Sequence, residues 1–178
     1  MSRLSGIALA ALSIGVGGAL AAGVGLETAN GYGEPLTTLH RATYTDHAAR
    51  AFARADADAD GVLSADEFAA DAIVDAELSR LNGFVAIDFG PTANPIPTPR
   101  RAPARLGPGE RGSIEAAARR AFVAVAGADG AVDRSEYVAA RLQAFDRADR
   151  NDNGRLASGE LDAFSAGRAG LVGGLVRG

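Results

Sequence analysis

Two twelve-residue segments constrain this chain more than anything else in it. Residues 56–67 read Asp-Ala-Asp-Ala-Asp-Gly-Val-Leu-Ser-Ala-Asp-Glu, and residues 149–160 read Asp-Arg-Asn-Asp-Asn-Gly-Arg-Leu-Ala-Ser-Gly-Glu. Each places side-chain oxygens at its first, third and fifth positions, Gly at the sixth and Glu at the twelfth. A hard divalent cation gathers about six to eight oxygens around one point. A backbone wraps that tightly only with short oxygen-bearing side chains on alternate residues and a Cβ-free residue at the sharp turn. The flanks of the two segments agree as well. Phe52 and Phe145 stand four residues before the two segments, and Phe68 and Leu161 directly follow them.

In the first segment Asp56, Asp58 and Asp60 would each supply an oxygen, Val62 its carbonyl, and Ser64 the position of a bridging water. Glu67 would close the sphere with both oxygens. In the second, the corresponding ligands are Asp149, Asn151, Asn153, the Arg155 carbonyl and Glu160. Calcium is the ion this donor set suits. The first segment offers four carboxylates and the second only two, with Arg150 and Arg155 beside them, so the 149–160 site is expected to be the weaker. Leu63 and Leu156 hold the eighth positions, where paired loops exchange a short strand contact.

These residues resemble the EF-hand calcium-binding family over two helix-loop-helix units. The resemblance implies an all-α fold of EF-hand units, with two intact loops, one or two degenerate ones and short β contacts between loops. A damaged third unit is read at 125–136, where Gly130, Glu136, Asp129 and Asp133 remain but Val125 and Gly127 occupy ligand places. Phe122 lies one residue too close to it, as if the loop had lost a residue. A fainter fourth is read at Leu78–Phe89.

Composition narrows the function. A net charge of −4 argues against a nucleic-acid partner. With no Cys there is no disulfide, thiolate metal site or Cys nucleophile. His40 and His47 are the only histidines and lie outside both segments, and no nucleophile elbow or phosphate loop is present, so no enzyme is expected.

From Leu4 to Leu26 the chain is uncharged, after Arg3, and Ala19-Leu20-Ala21 offers a small-residue cleavage site. That layout predicts a signal peptide over 1–22, with a retained membrane anchor as the alternative. The rest of the chain is then periplasmic or secreted, or anchored in the inner membrane facing the periplasm.

Along the remainder we expect an irregular arm at 23–44 and a first EF-hand half at 45–90, with helices at 45–55 and 65–81. The second helix would bury Phe68, Ala72, Asp75 or Ala76, and Leu78, and a short strand would cover 83–89. Residues 91–112 hold six of the seven prolines and read as an extended linker crossed by no helix or strand. The second half would span 113–166, with helices at 113–125, 135–148 and 158–166, followed by a Gly-rich tail at 167–178.

Only residues 137–148 separate the third unit from the 149–160 loop, room for one shared helix of about 18 Å. Loops at its two ends cannot pair with each other. We therefore expect loop 56–67 to pair with loop 149–160, Leu63 facing Leu156, and the two degenerate units to pair together. The short connector resembles a group of exported bacterial EF-hand proteins of which lanmodulin is the best known. Lanmodulin's hands carry Pro second and Asp ninth; here the second places hold Ala57 and Arg150 and the ninth Ser64 and Ala157. The resemblance implies an exported calcium-binding protein with a buffering, structural or sensor role. A membrane-tethered calcium-dependent interaction protein and a lanthanide binder are the alternatives, with calcium ions and an unidentified protein as partners.

Overall fold

The loop segments hold their helices at fixed points because each launches from the same backbone contact. Asp56, Ala126 and Asp149 each donate their N–H to the carbonyl of a phenylalanine four residues earlier, Phe52, Phe122 and Phe145. The computed structural model describes residues 31–98 and 104–170. Within them run β1 (Thr38–His40), α1 (Arg41–Ala55), β2 (Val62–Leu63), α2 (Ala65–Asn82), β3 (Phe84–Asp88), β4 (Ala93–Pro97), α3 (Pro108–Val125), β5 (Val132–Asp133), α4 (Arg134–Ala148), β6 (Arg155–Ala157) and α5 (Gly159–Gly170). Among the described residues the fold is mostly helical, with three two-stranded antiparallel sheets.

Local chemistry explains the helix ends. Ser64 caps α2 and Asp133 caps α4, each in a reciprocal box with a glutamate three residues on, Glu67 and Glu136. Pro108 sits in the first turn of α3, where a missing N–H costs nothing. Gly83 ends α2 in the left-handed region, φ 72°, its N–H donating to the Ser79 carbonyl.

The strand pairing differs from the sequence expectation. Loops 56–67 and 149–160 do not pair with each other. Instead Leu63 lies opposite Val132, and Leu156 lies opposite Leu39. All four are at most 1% exposed, so both pairs lie in the core. One loop with a full set of donor residues thus pairs with the degenerate loop, and the other with a strand ahead of α1. The shared helix itself is present as α4, with pairing loops at both ends that face different partners.

An internal repeat makes sense of this. The offset of 93 residues that separates Asp56 from Asp149 carries β1-α1-β2-α2 onto β5-α4-β6-α5. It superposes Arg41 on Arg134, Tyr44 on Tyr137, Phe52 on Phe145, Gly61 on Gly154 and Glu67 on Glu160. The first strand of each half pairs with the second strand of the other, so α1 and α4 run antiparallel in a pseudo-two-fold arrangement. Arg41 at the start of α1 accordingly meets Asp146 near the end of α4 at 2.9 Å. Each donor-rich loop leaves the C-terminal end of one of these helices, so the two loops sit at opposite ends of the pair, about 22 Å of helix apart.

Two cores follow the two ends. Leu39, Tyr44, Phe145, Leu156, Leu161 and Phe164 form one, and Phe52, Leu63, Phe122, Val132 and Tyr137 the other. Edge-to-face rings fasten both, with centroids of Tyr44 and Phe164 at 5.1 Å and of Phe52 and Tyr137 at 5.8 Å.

Several finer expectations are corrected. The expected arm already forms β1, and α1 starts at Arg41 rather than Thr45. The strand expected at 83–89 is present as β3, but it pairs with β4 in a hairpin and so is no fourth loop. β4 runs through the proline-rich stretch expected to hold no strand, and α3 begins at Pro108 rather than Ser113. The prolines fit because the carbonyls of Ala93 and Pro95 accept from Gly33 and Leu36. Residues 93, 95 and 97 therefore turn their backbone groups away from β3, where a proline breaks no ladder bond. α5 extends into the expected tail, to Gly170. Leu78 is 51% exposed rather than buried; α2 meets α3 instead through Phe68, whose ring lies edge-on to Phe122, and Ala76, which packs with Ile114. The segment 1–22 expected to be a signal peptide, the centre of the expected linker and residues 171–178 lie outside the described residues. No helix of the described residues is long and apolar enough to cross a membrane.

Candidate metal centre

Both donor-rich loops are folded by the same five backbone contacts. In the first, Asp56 accepts from the N–H groups of Asp60 and Gly61, both at 3.1 Å. Asp58 accepts from Asp60 at 3.4 Å, Asp60 from Val62 at 3.0 Å, and Glu67 Oε1 from Ala57 at 2.9 Å. In the second, Asp149 accepts from Asn153 at 3.2 Å and Gly154 at 2.8 Å. Asn151 accepts from Asn153 at 3.2 Å, Asn153 from Arg155 at 2.9 Å, and Glu160 Oε1 from Arg150 at 3.1 Å. The side chains are thus locked to the backbone of their own turn, with the twelfth-place glutamate drawn back to the second residue.

The turn needs left-handed backbone at its fourth and sixth places. Gly61 and Gly154 take φ of 89° and 74°, and no Cβ penalty arises there. Ala59 and Asp152 bear the same sign at the fourth place, φ 58° and 53°. A carboxylate side chain tolerates that region better than alanine does.

Each of Asp56, Asp58 and Asp60 offers an oxygen, and these atoms lie within 4.8 Å of one another. Three carboxylates held so close repel unless a cation lies among them, and hard oxygens in this number are what calcium takes. The donor set therefore fits the ion. Glu67 is held below the usual carboxylate range, first by the Ser64 N–H, then by the Ser64 hydroxyl and the Ala57 N–H, so it stays ionised. Ser64, expected beside a bridging water, also caps α2, with its hydroxyl 2.8 Å from Glu67 Oε2.

The second loop departs in two ways. Ala157 replaces Ser64 and cannot cap, and Ser158 takes φ 47° where the first loop is already helical. Asn151 also donates its amide to Glu160 Oε1 at 3.1 Å.

The degenerate loop is shorter than its partners. The Phe122 contact makes Ala126 its first residue, not Val125, leaving eleven residues to Glu136. Asp129 keeps the fifth-place bond, accepting from Ala131 at 3.2 Å, and Asp133 and Glu136 keep the capping box. The first donor is gone: Ala126 is 2% exposed and packs in the core beside Phe122. The loop keeps its shape and its strand while lacking the start of a ligand shell.

Two features escaped the sequence reading. The 93-residue repeat was visible as Arg-x-x-Tyr and Ala-Phe at matching offsets, and would have exposed the pairing. A charged cluster was not visible: Asp71 and Asp75 of α2, Tyr137 and Arg141 of α4, and Arg168 of α5 meet between the halves. His47 lies near it, its Nδ1 accepting from the Asp88 N–H at 3.0 Å.

Among known proteins, residues 49–70 match the family model of the EF hand. That segment spans the end of α1, the first loop and the start of α2. No curated protein and no solved structure gave a match. The match supports an EF-hand relationship and, with the acidic cluster at Asp56, Asp58 and Asp60, calcium binding.

Proposed function

We propose that this chain is an exported calcium-binding protein with two sites, one in each half. The observation that carries the reading is the identical five-contact fold of loops 56–67 and 149–160, the first of which lies in the segment that matches the EF hand. Asp56, Asp58, Asp60, the Val62 carbonyl and Glu67, with Ser64 beside them, hold one ion. Asp149, Asn151, Asn153, the Arg155 carbonyl and Glu160 hold the other. Calcium supplies a positive centre that relieves the repulsion among these carboxylates and cross-links each loop to the helix that leaves it. The chain's own residues do the rest: Gly61 and Gly154 permit the turn, and Phe52 and Phe145 anchor its start.

The first site is the tighter, because four carboxylates face the ion against two. Export is supported by the uncharged stretch from Leu4 to Leu26 behind Arg3. The role is binding rather than catalysis.

Isothermal titration of the metal-stripped protein with calcium tests this reading. Two sites are expected, with Glu67→Gln weakening the tighter one and Glu160→Gln the weaker one, each by at least about tenfold. Uptake unchanged by either substitution would refute the assignment.

A further inference from the structure

The two donor-rich loops differ most where the chain leaves them. The first helical bond of α2 runs from the Phe68 N–H to the Ser64 carbonyl at 3.0 Å. Under the 93-residue repeat its counterpart would join Leu161 to Ala157. In the second loop that bond is displaced by one residue, the Asp162 N–H donating to the Ser158 carbonyl at 3.0 Å. α5 accordingly begins at Gly159, one residue after Ser158. Ala65 and Arg134, which like Ser158 stand two places before their loop glutamate, already belong to α2 and α4. β6 is also one residue longer than β2 or β5, with Ala157 still opposite Thr38 of β1.

Ser158 absorbs the whole displacement. Its φ of 47° lies in the region that is costly for a residue with a Cβ. Such a conformation persists only where its surroundings impose it. Two features do so here. The Thr38 rung keeps Ala157 extended, and Ala157 lacks the side-chain oxygen with which Ser64 and Asp133 cap their helices.

The consequence falls on Glu160. Glu67 and Glu136 each turn Oε2 back to the N–H of their capping residue, Ser64 and Asp133, both at 2.9 Å. Glu67 also brings Oε1 to the Ala57 N–H, so both of its oxygens lie against the loop. Glu160 reaches its loop through Oε1 alone, which accepts from the Arg150 N–H and the Asn151 amide, each at 3.1 Å. Among the described residues, Glu160 Oε2 accepts no hydrogen bond.

We propose that Ser158 is a positioning residue for the second site: both Glu160 oxygens reach a calcium ion in loop 149–160 only when Ser158 leaves left-handed backbone and joins α5. The inference rests on the two-site reading above. The Leu161 N–H then donates to the Ala157 carbonyl, and Glu160 takes the place on its helix that Glu67 holds on α2. The rearrangement offsets part of the binding free energy, so the second site is weaker than its carboxylate count alone would make it.

NMR calcium titrations of the full chain test this, with Gly154 reporting the second site, Gly61 the first, and the Ser158 carbon shifts its own backbone. In the parent those shifts should pass from left-handed to helical values on loading, and the Leu161 amide should gain protection from exchange. Ser158→Gly favours the left-handed form and should weaken the second site by about fivefold. The same variant relieves strain in the ion-free chain, so its urea midpoint in chelator should rise as its calcium affinity falls, which loss of fold cannot produce. Ser158→Ala, which supplies the residue that the first loop has at Ala65, should tighten the site by about twofold. The Gly61 transition should not move in either variant. Left-handed shifts at Ser158 in saturating calcium overturn the proposal, as does a glycine variant that binds as tightly as the parent. A parent whose Gly154 amide never responds to calcium defeats the two-site reading itself.

Discussion

His47 shows how one side chain carries a testable electrostatic cost. It is buried at 8% exposure, stacked on Tyr44, and bonded through Nδ1 to the Asp88 N–H. Burial, with Arg168, Arg141 and Arg54 nearby and only Asp75 opposing them, lowers its pKa from 6.5 to about 3. Between those values the unfolded chain holds more protons than the folded one, so stability is full above about pH 6.5 and falls as pH is lowered through the window. The slope approaches about 1.4 kcal/mol per pH unit. In chelator, urea midpoints at about pH 7 and about pH 5 should separate for the parent and draw together in His47→Gln, which keeps an acceptor for Asp88. An equal separation in both proteins would place the effect elsewhere. The donor residues, by contrast, were plain from the sequence, since loop ligands are contiguous and their contacts are local. His47 and Arg141 were not, because what surrounds them comes from helices far apart in the chain.

At the level of elements, β1 is the piece that sequence patterning least revealed. Its three residues, Thr38–His40, follow a turn-rich stretch and carry no alternation of their own. They become a strand only because Leu156 of the second loop requires a partner, and Leu39 fills that place at 1% exposure. β4 was obscured for a different reason, its prolines suiting an outward-facing edge that periodicity cannot distinguish from a linker. The helices were legible to within a few residues, since their caps and Phe anchors are local signals. Leu39→Ala should therefore cost about 2–5 kcal/mol of unfolding free energy by urea denaturation, as for a core leucine. A loss below about 0.5 kcal/mol, the range of surface positions, would mean that β1 does not close the second loop.

Taken whole, the molecule is two related halves locked head to tail. Each half contributes one helix to an antiparallel pair and one donor-rich loop to one end of it. Each such loop is completed by a strand from the opposite half, so neither half is expected to form a finished site alone. The hairpin β3–β4 and helix α3 fall between the halves in sequence. The hairpin supplies Val85, Ile87 and Ile96 to the core beneath the second loop, while α3 supplies Phe122 to the core beneath the first. The degenerate loop 126–136, which has no oxygen-bearing side chain at its first place, thereby serves a structural task, holding Val132 against Leu63.

The most direct test of this account is a calcium titration of the metal-stripped, isotope-labelled full chain, observed by amide NMR. The amides of Gly61 and Gly154, which donate to Asp56 and Asp149, should both move on adding calcium, with Gly61 saturating first and Gly130 changing little. A Gly130 amide that tracks calcium while Gly61 and Gly154 stay fixed would contradict it.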